Sequence, residues 1–172
     1  MAPHHRDSLK LISMLFAVLT ISDRCSQGLM QDTAGPAVVA LLREQLPNAE
    51  ISTYLLPDDE PAIAAMLNSL SENGARLILT VGGTGLSPRD RTPEATLSVI
   101  DRNVPGLAEA MRSIGAQSNP YSWLSRGIAG LKGTTLIVNL PGSLRGAKES
   151  LISILALIKH GIEVAAGSQT HP

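Results

Sequence analysis

Aromatic residues are nearly missing from this chain. One Trp, two Tyr and one Phe make up 2% of 172 residues, so a core has to be built from Leu, Ile, Val and Ala. With 44% apolar residues, the length suits one domain with a sizeable interior. Cysteine is scarce as well: the lone Cys25 excludes an intrachain disulfide and marks no oxidising compartment. The net charge of -1 lacks the basic balance of a nucleic-acid binder, so no nucleic acid is expected as a partner. A small anion is not excluded, because it needs only a nest of N–H groups and one or two basic side chains. His4, His5, His160 and His171 lie at the ends or alone, without the further ligands of a zinc site, and no structural metal is expected. There is no internal repeat and no low-complexity segment.

One stretch imitates a targeting signal. HHRDSLK followed by LISMLFAVLTI has the charge and apolar run of a secretory leader. Ser22-Asp23-Arg24 then offers no small-x-small cleavage site, and Arg24 before Cys25 is wrong for a lipoprotein signal. The eleven-residue run Leu11–Ile21 is too short to span a bilayer. A buried first strand explains it better, and a cytoplasmic protein with no membrane partner is expected.

Short apolar runs alternate with helical stretches along the chain. Leu15–Ile21 is continuously apolar, as in a strand covered on both faces. Ala34–Leu46 has helical periodicity, Glu50–Leu56 is strand-like, and Pro61–Glu72 carries Ile63, Met66, Leu67 and Leu70 at helical spacing. Arg76–Val81 reads as a third strand. Thr92–Asp101 reads as a helix with Thr92 as N-cap and Pro93 at the first position. Leu107–Ile114 continues helical, Tyr121–Arg126 is a short helical turn, and Ile128–Leu131 with Thr134–Leu140 form a strand pair around Lys132-Gly133. Arg145–Lys159 closes the chain as a helix. This alternation predicts an α/β domain over 14–166 with a mostly parallel sheet. A loose leader over 1–13 and a tail over 167–172 flank it.

In such sheets, ligands bind beyond the carboxyl ends of the strands. Four loops lie there: Ser22–Thr33, Pro57–Glu60, Gly82–Arg91 and Pro141–Ser143. Gly82, Gly83, Thr84 and Gly85 let backbone N–H groups approach an anion, aided by Arg89 and the helix opening at Thr92-Pro93. A plain tight turn is the alternative. The loop is neither a Walker A motif nor a dinucleotide fingerprint, since Pro88 stands at the third glycine position. Asp58 and Asp90 sit in different loops, and two carboxylates beside a phosphate nest suit magnesium or the orientation of a nucleophile. Alternatively Asp58 and Asp59 cap the next helix, and Asp90 pairs with Arg89 or Arg91. Asn139-Leu140-Pro141-Gly142-Ser143 ends a strand and opens a helix, offering a second anion site or simply an N-cap at Ser143. Asp32 reads as the N-cap of the helix that follows Thr33.

Together these pieces resemble the molybdenum-cofactor biosynthesis family of MoaB, MogA and the related domains of plant and animal cofactor-insertion proteins. The similarity runs from about Ala17 to Val164. TVGGTGLSPRDRTPEAT is its most specific part, supported by TISDRCSQG…DTAGP, LLPDDE, WLSR at 123–126 and NLPGS. The resemblance implies a three-layer α/β/α sandwich, the MogA-like fold, commonly assembled as a homotrimer or as two stacked trimers in a hexamer. It implies molybdopterin as substrate, with AMP transferred from magnesium-ATP to its terminal phosphate and pyrophosphate released. A molybdenum-insertion protein is the implied partner downstream. By position, Asp58 and Asp90 match the two essential aspartates, here assigned to magnesium and positioning. Thr84 matches a pterin-phosphate contact, Ser125 and Asn139 match polar groups of the molybdopterin pocket, and Ser22 and Asp32 match polar positions in the first loop. Leu144 stands where members commonly carry Pro. Tyr121 and Trp123 are the nearest aromatics for stacking on a pterin and are expected to serve as packing beside the pocket. A non-catalytic molybdopterin-binding scaffold is the alternative within the pathway, and a nucleotide-binding protein unrelated to molybdenum is the alternative outside it.

Overall fold

The computed structural model describes residues 14–168. The leader expected over 1–13, with His4 and His5, lies outside the described residues, as do 169–172 of the expected tail, with His171. Strands β1 (Leu15–Ile21), β2 (Glu50–Leu56), β3 (Leu77–Val81), β4 (Arg102–Asn103), β5 (Ala129–Lys132) and β6 (Thr135–Leu140) form one sheet in the order β2-β1-β3-β6-β5-β4. The first four strands of that order run parallel; β5 pairs antiparallel with β6, and β4 pairs antiparallel with β5, so that only β5 runs against the rest.

Side chains alternate between the faces of each strand. From β1, Phe16 and Val18 enter one core, where they meet helices α2 (Ala34–Gln45), α5 (Pro105–Ala116) and α6 (Leu144–Ala165). Ala17, Leu19 and Ile21 enter the other, against α3 (Glu60–Glu72) and α4 (Thr92–Val99). The result is a three-layer α/β/α sandwich. A fully buried β6 explains why TLIVNL is apolar almost without interruption.

Several boundaries differ from the sequence expectation for identifiable reasons. The Asp101 N–H bonds to the Leu131 carbonyl at 2.7 Å, and Arg102–Asn103 pair with β5. That pairing ends α4 at Val99 rather than at Asp101. Thr92 is not the N-cap: its N–H is drawn to the Gly83 carbonyl at 3.1 Å, it already belongs to the helix, and Arg91 precedes it as the cap without a side-chain bond. The last helix runs past Lys159 because Ile158 and Ile162 prolong its buried stripe. A four-residue helix, α1 (Asp23–Ser26), stands in the first loop, where no helix was expected. The expected turn at Tyr121–Arg126 is a 3-10 turn over Pro120–Leu124.

Candidate functional site

The sheet order sets the loops after β1, β2, β3 and β6 side by side at one end of the molecule. Two cavities of about 590 and 670 Å³ open there. Gly83, Asp90, Gly142 and Ser143 line both, so the cavities meet along a shared rim. Thr84, Gly85, Ser125, Asn139 and Pro141 border the first, and Ser22, Asp32, Asp58, Gly82 and Arg89 border the second. The residues matched to the family's site by position all lie on one or both, as does Tyr121, whereas Asp59, Thr92 and Trp123 lie on neither.

At the floor of the rim the backbone is packed without spare room. A Cβ on Gly82 would run into the Ile21 carbonyl, and one on Gly83 would run into Thr92 Oγ1 and come within 3.0 Å of Asp58 Oδ1. Asp58 Oδ1 and Thr92 Oγ1 are both buried without a hydrogen-bond partner. Two orphaned oxygens thus face the same glycine, an arrangement that a plain tight turn does not need.

Asp58 takes part in a pair that the sequence did not reveal. Its Oδ2 accepts from the Asp23 N–H at 3.0 Å, while its own N–H donates to Asp23 Oδ1 at 2.9 Å. Arg89 closes the far side, with Nε and Nη2 donating to Asp23 Oδ2 at 2.9 and 2.8 Å. That arginine holds the Asp23 carboxyl below its ordinary value, helped by the Asp58 N–H. Burial pushes Asp58 the other way, and the charges of Asp23 and Asp90 add to the rise. Neighbouring Asp59 is the helix cap, its carboxylate accepting from the Ala62 N–H at 3.0 Å.

Asp90 pairs with neither Arg89 nor Arg91, because Arg89 is engaged by Asp23 and Arg91 by Glu60. Its Oδ2 accepts from the Ser87 N–H at 3.1 Å, and its N–H donates to the Ser87 carbonyl at 2.9 Å. These two bonds close a small turn at the rim.

Other residues divide between lining and structure. Asn139 is 1% exposed: its Nδ2 donates to the hydroxyls of Thr80 and Thr96, both at 2.9 Å, and its Oδ1 accepts from the Ile128 N–H at 3.2 Å. Ser22 caps α1 through the Cys25 N–H, and Ser143 caps α6 through the Gly146 N–H. Asp32 accepts from the Gly35 N–H at 2.9 Å and from the Thr20 hydroxyl at 2.6 Å, so it restrains the start of α2 although Thr33 is the residue before the helix. The expected packing role of Tyr121 and Trp123 does not hold. They are 75% and 59% exposed, because the 3-10 turn that carries them lies outside both cores and buries none of its side chains.

No group of three or more His, Cys, Asp or Glu able to hold a metal ion occurs among the described residues. Magnesium asks for less, since it keeps waters and is commonly bound by one or two carboxylates together with substrate phosphates. Asp58, with a buried oxygen free to take a ligand, and Asp90 across the rim fit that demand.

Residues 17–160 match the family model described as "Probable molybdopterin binding domain". The chain belongs to the MoaB/MogA molybdopterin-binding family. It is 45% identical to the molybdopterin biosynthesis enzyme MoaB from Thermus thermophilus, with a TM-score of 0.82 over 90% of this chain and 98% of that one. It is 41% identical over 136 residues to the molybdopterin adenylyltransferase of Haemophilus influenzae, covering 78% of this chain and 69% of the relative. It is 39% identical over 153 residues to the molybdenum cofactor synthesis protein cinnamon of Drosophila melanogaster, covering 88% of this chain and 26% of the relative. The chain therefore spans about a quarter of that longer relative.

Within this MoaB/MogA frame, Asp23, on the second cavity, is the site residue that sequence reasoning passed over, although it lay in view inside TISDRCSQG. Among the described residues no helix is long and apolar enough to cross a membrane.

Proposed function

We propose that this chain is a molybdopterin adenylyltransferase, moving AMP from ATP to the terminal phosphate of molybdopterin. The observation that supports it is the shared rim: two separate cavities meet at Gly83, Asp90, Gly142 and Ser143, as a reaction between two phosphate-bearing ligands requires. In this reading molybdopterin occupies the cavity of Thr84, Ser125 and Asn139, and ATP occupies the cavity of Asp58 and Arg89.

The chemistry needs no protein nucleophile. A phosphate oxygen of molybdopterin attacks the α-phosphorus of ATP, a new P–O bond forms, and the bond to the β-phosphate bridging oxygen breaks. The electron pair leaves with pyrophosphate. What the chain has to do is hold two polyanions in line and meet the charge that develops. N–H groups of Gly83, Thr84 and Gly85 cradle phosphate oxygens, while the Gly82 N–H, expected in the same nest, is spent on the Leu140 carbonyl at 3.1 Å; Arg89 adds a cation at the second cavity. Magnesium, held by Asp58 and Asp90 together with ATP oxygens, would offset the growing negative charge on the departing pyrophosphate. A homotrimer, or two stacked trimers, is the assembly proposed with this reading, and the cytoplasm is the proposed compartment.

The test is direct. Purified protein, molybdopterin, ATP and magnesium are combined, with Asp58→Ala and Asp90→Ala beside the parent. Adenylylated molybdopterin formed by the parent and lost in both variants is expected. Tight molybdopterin binding with no AMP transfer in the parent would leave a binding module instead.

A further inference from the structure

One residue, Arg126, reaches the 84–90 loop from 36 to 42 positions away. The Arg126 main-chain N–H donates to the Thr84 carbonyl at 2.8 Å, and its side chain sends Nε to the Gly85 carbonyl at 2.8 Å and Nη2 to the Asp90 carbonyl at 2.6 Å. The remaining terminal nitrogen, Nη1, is paired with Glu94 in the first turn of α4. We propose that Arg126 is a positioning residue for AMP transfer: it sets the 84–90 backbone, and through it the Asp90 carboxylate, at the rim where the two cavities meet. This rests on the adenylyltransferase reading above.

The reasons are geometric. Between Val81 and Thr92 the chain forms no strand or helix, and Leu86, Ser87, Pro88 and Arg89 are exposed. Inside that stretch the bonds between Ser87 and Asp90 close a turn, and the exposed Arg89 side chain ties its tip to Asp23. Arg126 grips both ends of the turn, at Gly85 and at Asp90, with one planar group. A guanidinium does this well because its donors are locked in a fork, whereas a Lys ammonium would offer one point charge.

The grip is itself anchored. Glu94 ties the guanidinium to α4, and Arg112 Nη1 donates to the carbonyls of Ser125 and Gly127, at 3.3 and 2.9 Å, on either side of Arg126. Ser125 borders the first cavity, so the same short segment contributes to one ligand's pocket and aims an acid toward the other's. None of these partners is near in sequence.

Arg126→Lys and Arg126→Met test this, with the parent as reference and three readouts: melting temperature, amide hydrogen exchange over 83–91, and steady-state AMP transfer. In Arg126→Lys, exchange at 84–90 is expected to rise at least about tenfold while amides of β1, β3 and β6 stay protected. Turnover is expected to fall about a hundredfold, the size of effect that a displacement near 1 Å can produce, while KM for molybdopterin stays within about threefold. A variant that loses melting temperature but keeps parental turnover per folded molecule overturns the proposal, as does unchanged exchange at 84–90. Should Arg126→Met fail to fold, the Lys variant decides. A parent without AMP transfer sinks the adenylyltransferase reading alone. Arg126's hold on the loop is then judged by exchange and by ATP binding, and unchanged values in both would overturn it.

Discussion

Asp23 and Asp58 hold one another, each carboxylate accepting the other's main-chain N–H at 2.9 and 3.0 Å. The exchange uses Asp58 Oδ2 and leaves Oδ1 buried and unpartnered beside Gly83. Because burial raises the Asp58 carboxyl above its ordinary 3.8, the folded protein binds that proton more tightly than the unfolded chain does. Ionising Asp58 therefore costs stability as pH climbs through its raised value. Melting temperatures of Asp58→Asn and the parent, followed from pH 3 to pH 8, are expected to differ least below 3.8 and to diverge in the variant's favour above it. A difference that stays flat across the range would show that the Asp23 N–H offsets the burial.

Gly83 is a crowded point of the glycine loop. It sits at φ +65 with Thr92 Oγ1 against the position a Cβ would take. Gly83→Ala should combine left-handed strain with that collision, at about 2 kcal/mol, or roughly 4–8 °C of melting temperature in a domain of this size. Gly133→Ala is the control, since Gly133 has φ +57 but nothing within 4 Å. About 1 kcal/mol, or roughly 2–4 °C, is expected there. Equal losses at the two positions would mean that the wall around Gly83 yields.

Asn139 bonds Thr80, Thr96 and Ile128 from a nearly inaccessible position. Asn139→Ala removes three hydrogen bonds and leaves their partners buried, at a cost of about 3 kcal/mol, or roughly 6–12 °C. Thermal unfolding monitored by circular dichroism reads this directly. If the variant melted with the parent and only molybdopterin binding suffered, the side chain would belong to the ligand rather than to the fold.

Arg89 is 66% exposed in its pair with Asp23. Exposed ion pairs contribute little to stability, so Arg89→Met should leave the melting temperature close to the parent's. Its place on the second cavity predicts a different loss: ATP affinity, measured calorimetrically, should fall about tenfold. An affinity equal to the parent's would remove Arg89 from the proposed nucleotide site.

Much of this protein was legible from its chain alone. Strands β1 and β2 begin and end where the runs Leu15–Ile21 and Glu50–Leu56 do, the first as a nearly continuously buried run and the second as a half-exposed edge strand. The caps at Asp59 and Ser143 follow from side chains that bond three residues onward, and the glycine loop announces itself by what it omits. All of these depend on neighbours close along the chain. Partner choice does not. Asp23 meets Asp58 across 35 positions, Arg126 meets Asp90 across 36, and the Asp101 and Arg102–Asn103 pairing with β5 ends α4 early. Those contacts exist only once the order β2-β1-β3-β6 has set four loops side by side. Exposure of Tyr121 and Trp123 was settled the same way, by a turn that lies outside both cores. Local chemistry determined which residues are suited to a site; the sheet order decided which of them face one another, because only packing brings distant backbone polar groups within hydrogen-bond reach.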